Sequence, residues 1–150
     1  MKALSLKQPW AWLLLGPKPV ENRTWPLWNW FRRNDLPVRV YIHASKSRSD
    51  MTKDLYDWII GRLSNDETIE FQKAYPNLEF GAIIGTVDII DCIHISEFEI
   101  PEYIAPWFFG DFGFIRDNPV RFDKPIYCPG QLGFFKPKIS LPAVRAVFRI

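Results

Sequence analysis

Lys18, Glu21 and Arg23 fall within six residues of one another. On an extended segment, side chains two positions apart project to the same face, so Glu21 and Arg23 are neighbours and Lys18 sits in the turn before them. A carboxylate beside a guanidinium fixes its orientation and leaves other donors free for a phosphate or a base edge. Lys18 adds a point charge, or a nucleophile or base if it is buried. The same spacing also describes a surface ion pair of little energetic value.

Other residues with chemistry to offer flank this stretch. Trp10 and Trp25 can stack on a base, worth about 1–3 kcal/mol, and Gln8 can read its edge. Trp at a helix start equally suits a core, and Trp12 reads as core. His43 is followed by Ser45 and Lys46. It is a general-base candidate or a hydrogen-bonded scaffold residue, and no carboxylate partner completes a Ser-His-Asp arrangement. His94, inside an apolar run, reads as structural. Trp28, Trp30, Arg32 and Arg33 interleave rings and cations, a pattern suited to single-stranded nucleic acid, to a docked protein partner, or to a flap packed on the fold. No phosphate-cradling glycine loop, metal-ligand spacing or dinucleotide fingerprint is present, so neither a metal nor a cofactor is expected.

The elements that must position these residues can be read in outline. Ala3 to Leu6 is a short strand, and Trp10 to Leu15, between Pro9 and Gly16, is a two-turn helix. Val20 to Trp25 alternates loosely as a strand, and residues 25 to 37 form an irregular loop. Val38 to Ile42 alternates cleanly. A helix over Met51 to Gly61, capped by Asp50, presents Leu55, Trp58 and Ile59 on one face. Residues 65 to 78 hold one short helix ended at Tyr75-Pro76. Phe80 to Ile95 is the strongest strand, with Gly81 and Gly85 marking a bulge or barrel corner. Phe112 to Ile115, Val120 to Phe122, Pro125 to Tyr127 and Gln131 to Phe135 read as short strands; the tail from residue 141 is ambiguous. This order predicts a small β-barrel of mixed α+β class.

At 150 residues with 47% hydrophobic content, the chain has the size and core material of one domain over residues 1–150. Residues 1 to 53 carry ten Lys or Arg against three acids, a net +7, whereas residues 54 to 150 carry nine against fourteen, a net −5. Such asymmetry marks a face for phosphate-bearing partners, or two segments that neutralise each other across the fold. No secretory or membrane-spanning run is apparent, and Cys92 and Cys128 alone make neither a disulfide framework nor a thiol zinc site. The expected compartment is the cytoplasm, with no membrane partner.

Taken together, Ala3-Leu-Ser-Leu-Lys-Gln8-Pro9-Trp10-Ala11, Gly16-x-Lys18-x-x-Glu21-x-Arg23-x-Trp25 and Ile42-His43-Ala44-Ser45-Lys46 resemble the ASCH domain family. Gly81 to Val87 is similar to that family's long central strand, and Gly110 to Phe114 and Gly130 to Phe135 to its closing strands. The resemblance implies a PUA-like β-barrel of about five to six strands with flanking short helices. It also implies a cleft lined by the Lys, Glu and Arg positions that holds RNA or a nucleotide, with Lys46 as a further cleft cation. Family branches include an amidohydrolase acting on N4-acetylcytidine through a Lys, a Thr and a Glu, a ribonuclease, and nucleic-acid-binding domains of transcriptional coactivators. The Lys and Arg of the amidohydrolase match Lys18 and Arg23, but its Thr position is Glu21 here, and Thr24 falls on the opposite strand face. A carboxylate cannot replace the hydroxyl nucleophile, although it can activate water.

The expectation is therefore a domain that binds RNA, single-stranded nucleic acid or a modified nucleoside. Its binding residues are Gln8, Trp10, Lys18, Glu21, Arg23, Trp25, His43, Ser45 and Lys46. The alternative is a hydrolase on nucleic-acid substrates, either N4-acetylcytidine amidohydrolase-like or a metal-independent ribonuclease, with Lys18 and Glu21 catalytic.

Overall fold

A computed structural model describes residues 1–97 and 99–148. Six strands form one sheet: β1 (Ala3–Leu6), β2 (Val20–Arg23), β3 (Val38–Ala44), β4 (Ala82–His94), β5 (Phe112–Tyr127) and β6 (Phe134–Phe135). Their order is β2-β5-β4-β3-β1-β6, with β1 and β3 parallel and every other pair antiparallel. Among the described residues four α-helices accompany them, α1 (Trp10–Leu14), α2 (Lys53–Ile60), α3 (Asn65–Ala74) and α4 (Leu141–Phe148), besides short 3-10 turns. The class is α+β, and the sheet curls into a half-barrel. Its curl brings edge strand β2 back against β1, from which three strands separate it in hydrogen-bonding order: Arg23 Nη2 donates to the Ser5 carbonyl at 3.0 Å.

The alternation of β1 and β3 explains which side is filled. Leu4, Leu6, Val40, Ile42 and Ala44 point into the curl and pack on Ala11, Leu14 and Leu15 around α1. Ala3 and Tyr41, on the other face, meet Ile83, Ile126 and Phe135, with Ala143 and Val147 of α4 laid against them. A third cluster joins Leu13 and Val20 to Ile59 of α2, Phe71 of α3 and Trp107.

Three expectations change. The α2 helix begins after Thr52, whose hydroxyl accepts from the Leu55 amide at 3.2 Å, so Thr52 and not Asp50 is the cap. The segments from 112 to 127 form one strand, not three short ones, because their polar and proline interruptions are absorbed as register shifts against β4. Only Phe112–Ile115 of β5 is covered by β2, so Pro119 lies where one side of the strand has no strand partner and removes no ladder bond from it. His94 ends β4 half-buried, bonded to Ser96 Oγ at 2.6 Å and against Phe112; it is structural without being deep. No helix among the described residues is long and apolar enough to cross a membrane.

Gly85 marks the first register shift of the β4–β5 pair. A Cβ there would run into the Val120 carbonyl oxygen and lie 2.6 Å from Leu15 Cδ1, so strand and helix approach each other through the missing side chain. Gly61, at the end of α2, has helical φ and ψ of −62° and −13°, and a Cβ would meet nothing closer than 3.5 Å. Gly85→Ala should therefore lower the unfolding free energy by about 3 kcal/mol in urea titration. Gly61→Ala should leave it unchanged or raise it by up to about 1 kcal/mol; equal effects of the two would refute this packing.

Candidate functional site

The turn between α1 and β2 is held from outside. Arg116 of β5 donates through Nε to the Leu14 carbonyl at 2.7 Å and through Nη2 to the Gly16 carbonyl, satisfying carbonyls that the end of α1 leaves unpaired. The Lys18 amide returns to the Leu13 carbonyl at 3.0 Å, and the Arg116 amide donates to the Pro19 carbonyl at 3.1 Å. Fixed at both ends, the turn sends the Lys18 side chain inward: Lys18 is only 1% exposed.

Its ammonium donates to the Val20 carbonyl at 2.5 Å and lies 3.6 Å from Glu21 Oε1. The rings of Trp10 and Phe109 stand 5.2 and 5.8 Å from it, within cation–π range. Burial is the main influence on this amine and lowers its pKa; Glu21 opposes the shift, and Arg23 and Arg116 add to it. Glu21, also buried, uses Oε2 to accept from Arg23 Nε at 2.9 Å. The row is a buried cation, a carboxylate and a half-buried cation, and the surface ion pair that the spacing also allowed is excluded.

These groups open onto a cleft of about 960 Å³. Ser5, Trp10, Lys18, Glu21, Arg23, His43, Ser45 and Lys46 all line it, so seven of the nine residues proposed from the sequence meet here. Lys7, Lys18, Arg23 and Lys46 face Glu21 and Asp50, leaving the lining positive. Trp10 is half-buried, packed edge-on against Trp58 and tilted against Phe109, with its indole N–H donated to Asp50 Oδ2 at 2.9 Å. Lys46 is exposed and its stem passes over Gly81. Ser45 Oγ is buried and has no hydrogen-bond partner among the described residues.

His43 is 1% exposed and bonded at both ring nitrogens. A carbonyl only accepts, so the 2.8 Å contact to the Cys128 oxygen requires a proton on Nε2. Burial lowers the pKa of this imidazole, partly offset by the Cys128 contact, and favours the neutral ring. Nδ1 is then the acceptor, and the Ser5 hydroxyl donates to it at 2.9 Å.

Two of the nine residues do not reach the cleft. Gln8 is buried with Nε2 donated to the Glu79 carbonyl at 3.0 Å and Oε1 accepting from the Trp12 amide at 3.0 Å. It lines a separate cavity of about 540 Å³ and ties α1 to the segment ahead of β4. Trp25 packs edge-on against Phe114 and Phe134, and the Arg23 guanidinium lies 5.6 Å from its ring. Its role is to support the arginine, not to line the cleft. The rest of the Trp-rich loop is a flap on the core, with Leu27 buried, Trp28 and Phe31 packed inward, Arg33 over Trp28, and Trp30 42% exposed. Trp12, read as core, is half-buried: it packs against Phe71 under the Arg121 guanidinium and lines the same second cavity as Gln8.

Sequence reasoning missed Asn22, Asp50, Phe109, Arg116 and the 128–133 loop. Asn22 Oδ1 accepts from the Phe109 and Gly110 amides at 2.9 and 3.0 Å, and Nδ2 donates to the Trp107 carbonyl at 2.9 Å. That clamp brings Phe109 over Lys18. Its one signal was position, inside the Glu21-x-Arg23 stretch, and its partners lie more than eighty residues away. Against known proteins, no family model matches the chain and no curated protein sequence matches it.

The compensation of Lys18 can be measured. Glu21→Ala leaves a buried ammonium without its carboxylate and should lower the unfolding free energy by about 3 kcal/mol or more. Adding Lys18→Met should recover most of that loss. A double variant as unstable as Glu21→Ala would mean that the carboxylate is not there to balance the lysine.

Proposed function

We propose that this chain is an ASCH-like domain with a PUA-like barrel that binds RNA or a modified nucleoside in its cleft. The observation that carries the reading is the convergence of Lys18, Glu21, Arg23 and Lys46 with the Trp10 and Phe109 rings on one positive cavity of about 960 Å³. Lys7 and Lys46, exposed at the lining, suit phosphates. The Glu21 carboxylate accepts only, and so selects a base edge that presents N–H donors, while Arg23 presents donors to acceptors. Trp10 and Phe109 provide apolar surface beside these groups for a base.

Binding to a short single-stranded RNA should weaken steeply with salt, because phosphate contacts release counterions. Lys46→Ala should lower the slope of log affinity against log salt by about 0.7 without moving Tm, since the side chain is exposed. Lys18→Ala and Arg23→Ala should weaken retention of RNA or nucleoside. Equal, negligible retention by the wild type and all variants at low salt rejects this reading.

One observation favours a second reading, hydrolysis: Lys18 is a buried amine of lowered pKa whose carboxylate neighbour can position water. Incubation with N4-acetylcytidine and with labelled RNA separates the two. Turnover lost in Lys18→Ala would make the protein an enzyme; no turnover on either substrate leaves the binder.

A further inference from the structure

Ser5 and His43 face each other on adjacent parallel strands, as register partners of the β1–β3 pair. The Ser5 hydroxyl points its proton at His43 Nδ1 over 2.9 Å, and the opposite ring nitrogen is anchored on the Cys128 carbonyl at 2.8 Å. This is the order of parts of an activated serine: a hydroxyl, a neutral imidazole acceptor and a third group that fixes tautomer and ring plane. A backbone carbonyl takes the place that a carboxylate holds in a Ser-His-Asp triad. A cation is fixed beside the serine as well, since Arg23 Nη2 rests on Ser5's own carbonyl at 3.0 Å. Ser5 is half-buried and lines the cleft.

Gly130 fits the same reading. A Cβ there would lie 2.8 Å from His43 Cε1 and 3.0 Å from Ser5 Oγ, so any other residue would crowd the hydroxyl and the ring together. Among the described residues the imidazole bonds to Ser5 and the Cys128 carbonyl, and the charged side chains that line the cleft with it are Lys7, Lys18, Glu21, Arg23, Lys46 and Asp50.

We propose that Ser5 is a nucleophile activated by His43, and that the cleft transfers or hydrolyses acyl groups from carboxylic esters. Ser5 Oγ bonds to the acyl carbon as its proton passes to His43 Nδ1. The acyl carbon–oxygen bond breaks, and the leaving alkoxide takes that proton as an alcohol. Water then attacks the acyl-serine, gives its proton to Nδ1, and releases the acid as the proton returns to Ser5. During each transfer the imidazolium keeps its Nε2–H on the Cys128 carbonyl. This activity uses neither the Lys18 amine nor RNA binding, so it stands or falls separately from the proposed function.

The test is covalent labelling of the full chain with p-nitrophenyl acetate and with an alkyl fluorophosphonate, followed by intact-mass measurement and peptide mapping. Wild type should gain one adduct, on Ser5. Ser5→Ala, a small change that should leave the circular dichroism spectrum unaltered, should gain none. His43→Gln should slow labelling by about 100-fold or more. The wild-type rate should rise with pH and level off with a midpoint below that of an ordinary histidine, because burial lowers the pKa of His43 and the neutral ring is the active form. Should His43→Gln fail to fold, the Ser5→Ala result and the pH profile decide. No adduct on folded wild type, adducts only at other residues, or a rate independent of pH through the histidine range would overturn the proposal.

Discussion

An ammonium group removed from water must find replacements for its hydration, and much of the structure around Lys18 is arranged to supply them. The Val20 carbonyl, the Glu21 carboxylate and the faces of Trp10 and Phe109 surround it. An isolated buried charge of this kind costs several kcal/mol, and it persists only where carboxylate and hydrogen-bond geometry offset most of that cost. Burial still prevails, since the lysine's pKa is lowered despite Glu21. A group held in this condition gives up its proton more readily than a solvated surface lysine.

Several elements of the fold have a part in that arrangement. Arg116 on β5 fixes the turn after α1, Asn22 on β2 fixes the segment carrying Phe109, and Asp50 ahead of α2 holds the Trp10 indole. The curl of the sheet brings β2 to β1, where Arg23 joins Glu21 to the Ser5 carbonyl. The cleft and the Glu21–Arg23–Ser5 bridge are thus consequences of one closure, whereas the Ser5–His43 pair is set by the β1–β3 register. Loosening β2 would disturb the cleft and the buried carboxylate and would release Arg23 from the Ser5 carbonyl.

What the sequence made legible follows from the range over which each interaction acts. Strand periodicity places Glu21 and Arg23 on one face because that depends only on local geometry, and they bond at 2.9 Å. The long β4 strand and the α2 face carrying Ile59 were readable for the same reason. Whether Lys18 was buried was not readable, because Phe109 covers it from a segment placed by a distant strand pairing. The partners of His43 were hidden likewise, Ser5 across a parallel strand and Cys128 beyond the end of β5. Gln8 misled because a buried amide spanning two backbone segments has the same sequence appearance as one reading a base.

The central claim is that ligands enter through the Lys18–Glu21–Arg23 cleft, and NMR shift mapping on the ¹⁵N-labelled protein tests it most directly. Titration with a short single-stranded RNA, and separately with N4-acetylcytidine, should move the Trp10 indole N–H and the Arg23 Nε–H together. The Gln8 side-chain amide, in the separate cavity, should stay in place. Shifts confined to Trp30 or to the Gln8 cavity, or no shift from either ligand at millimolar concentration, would contradict the account.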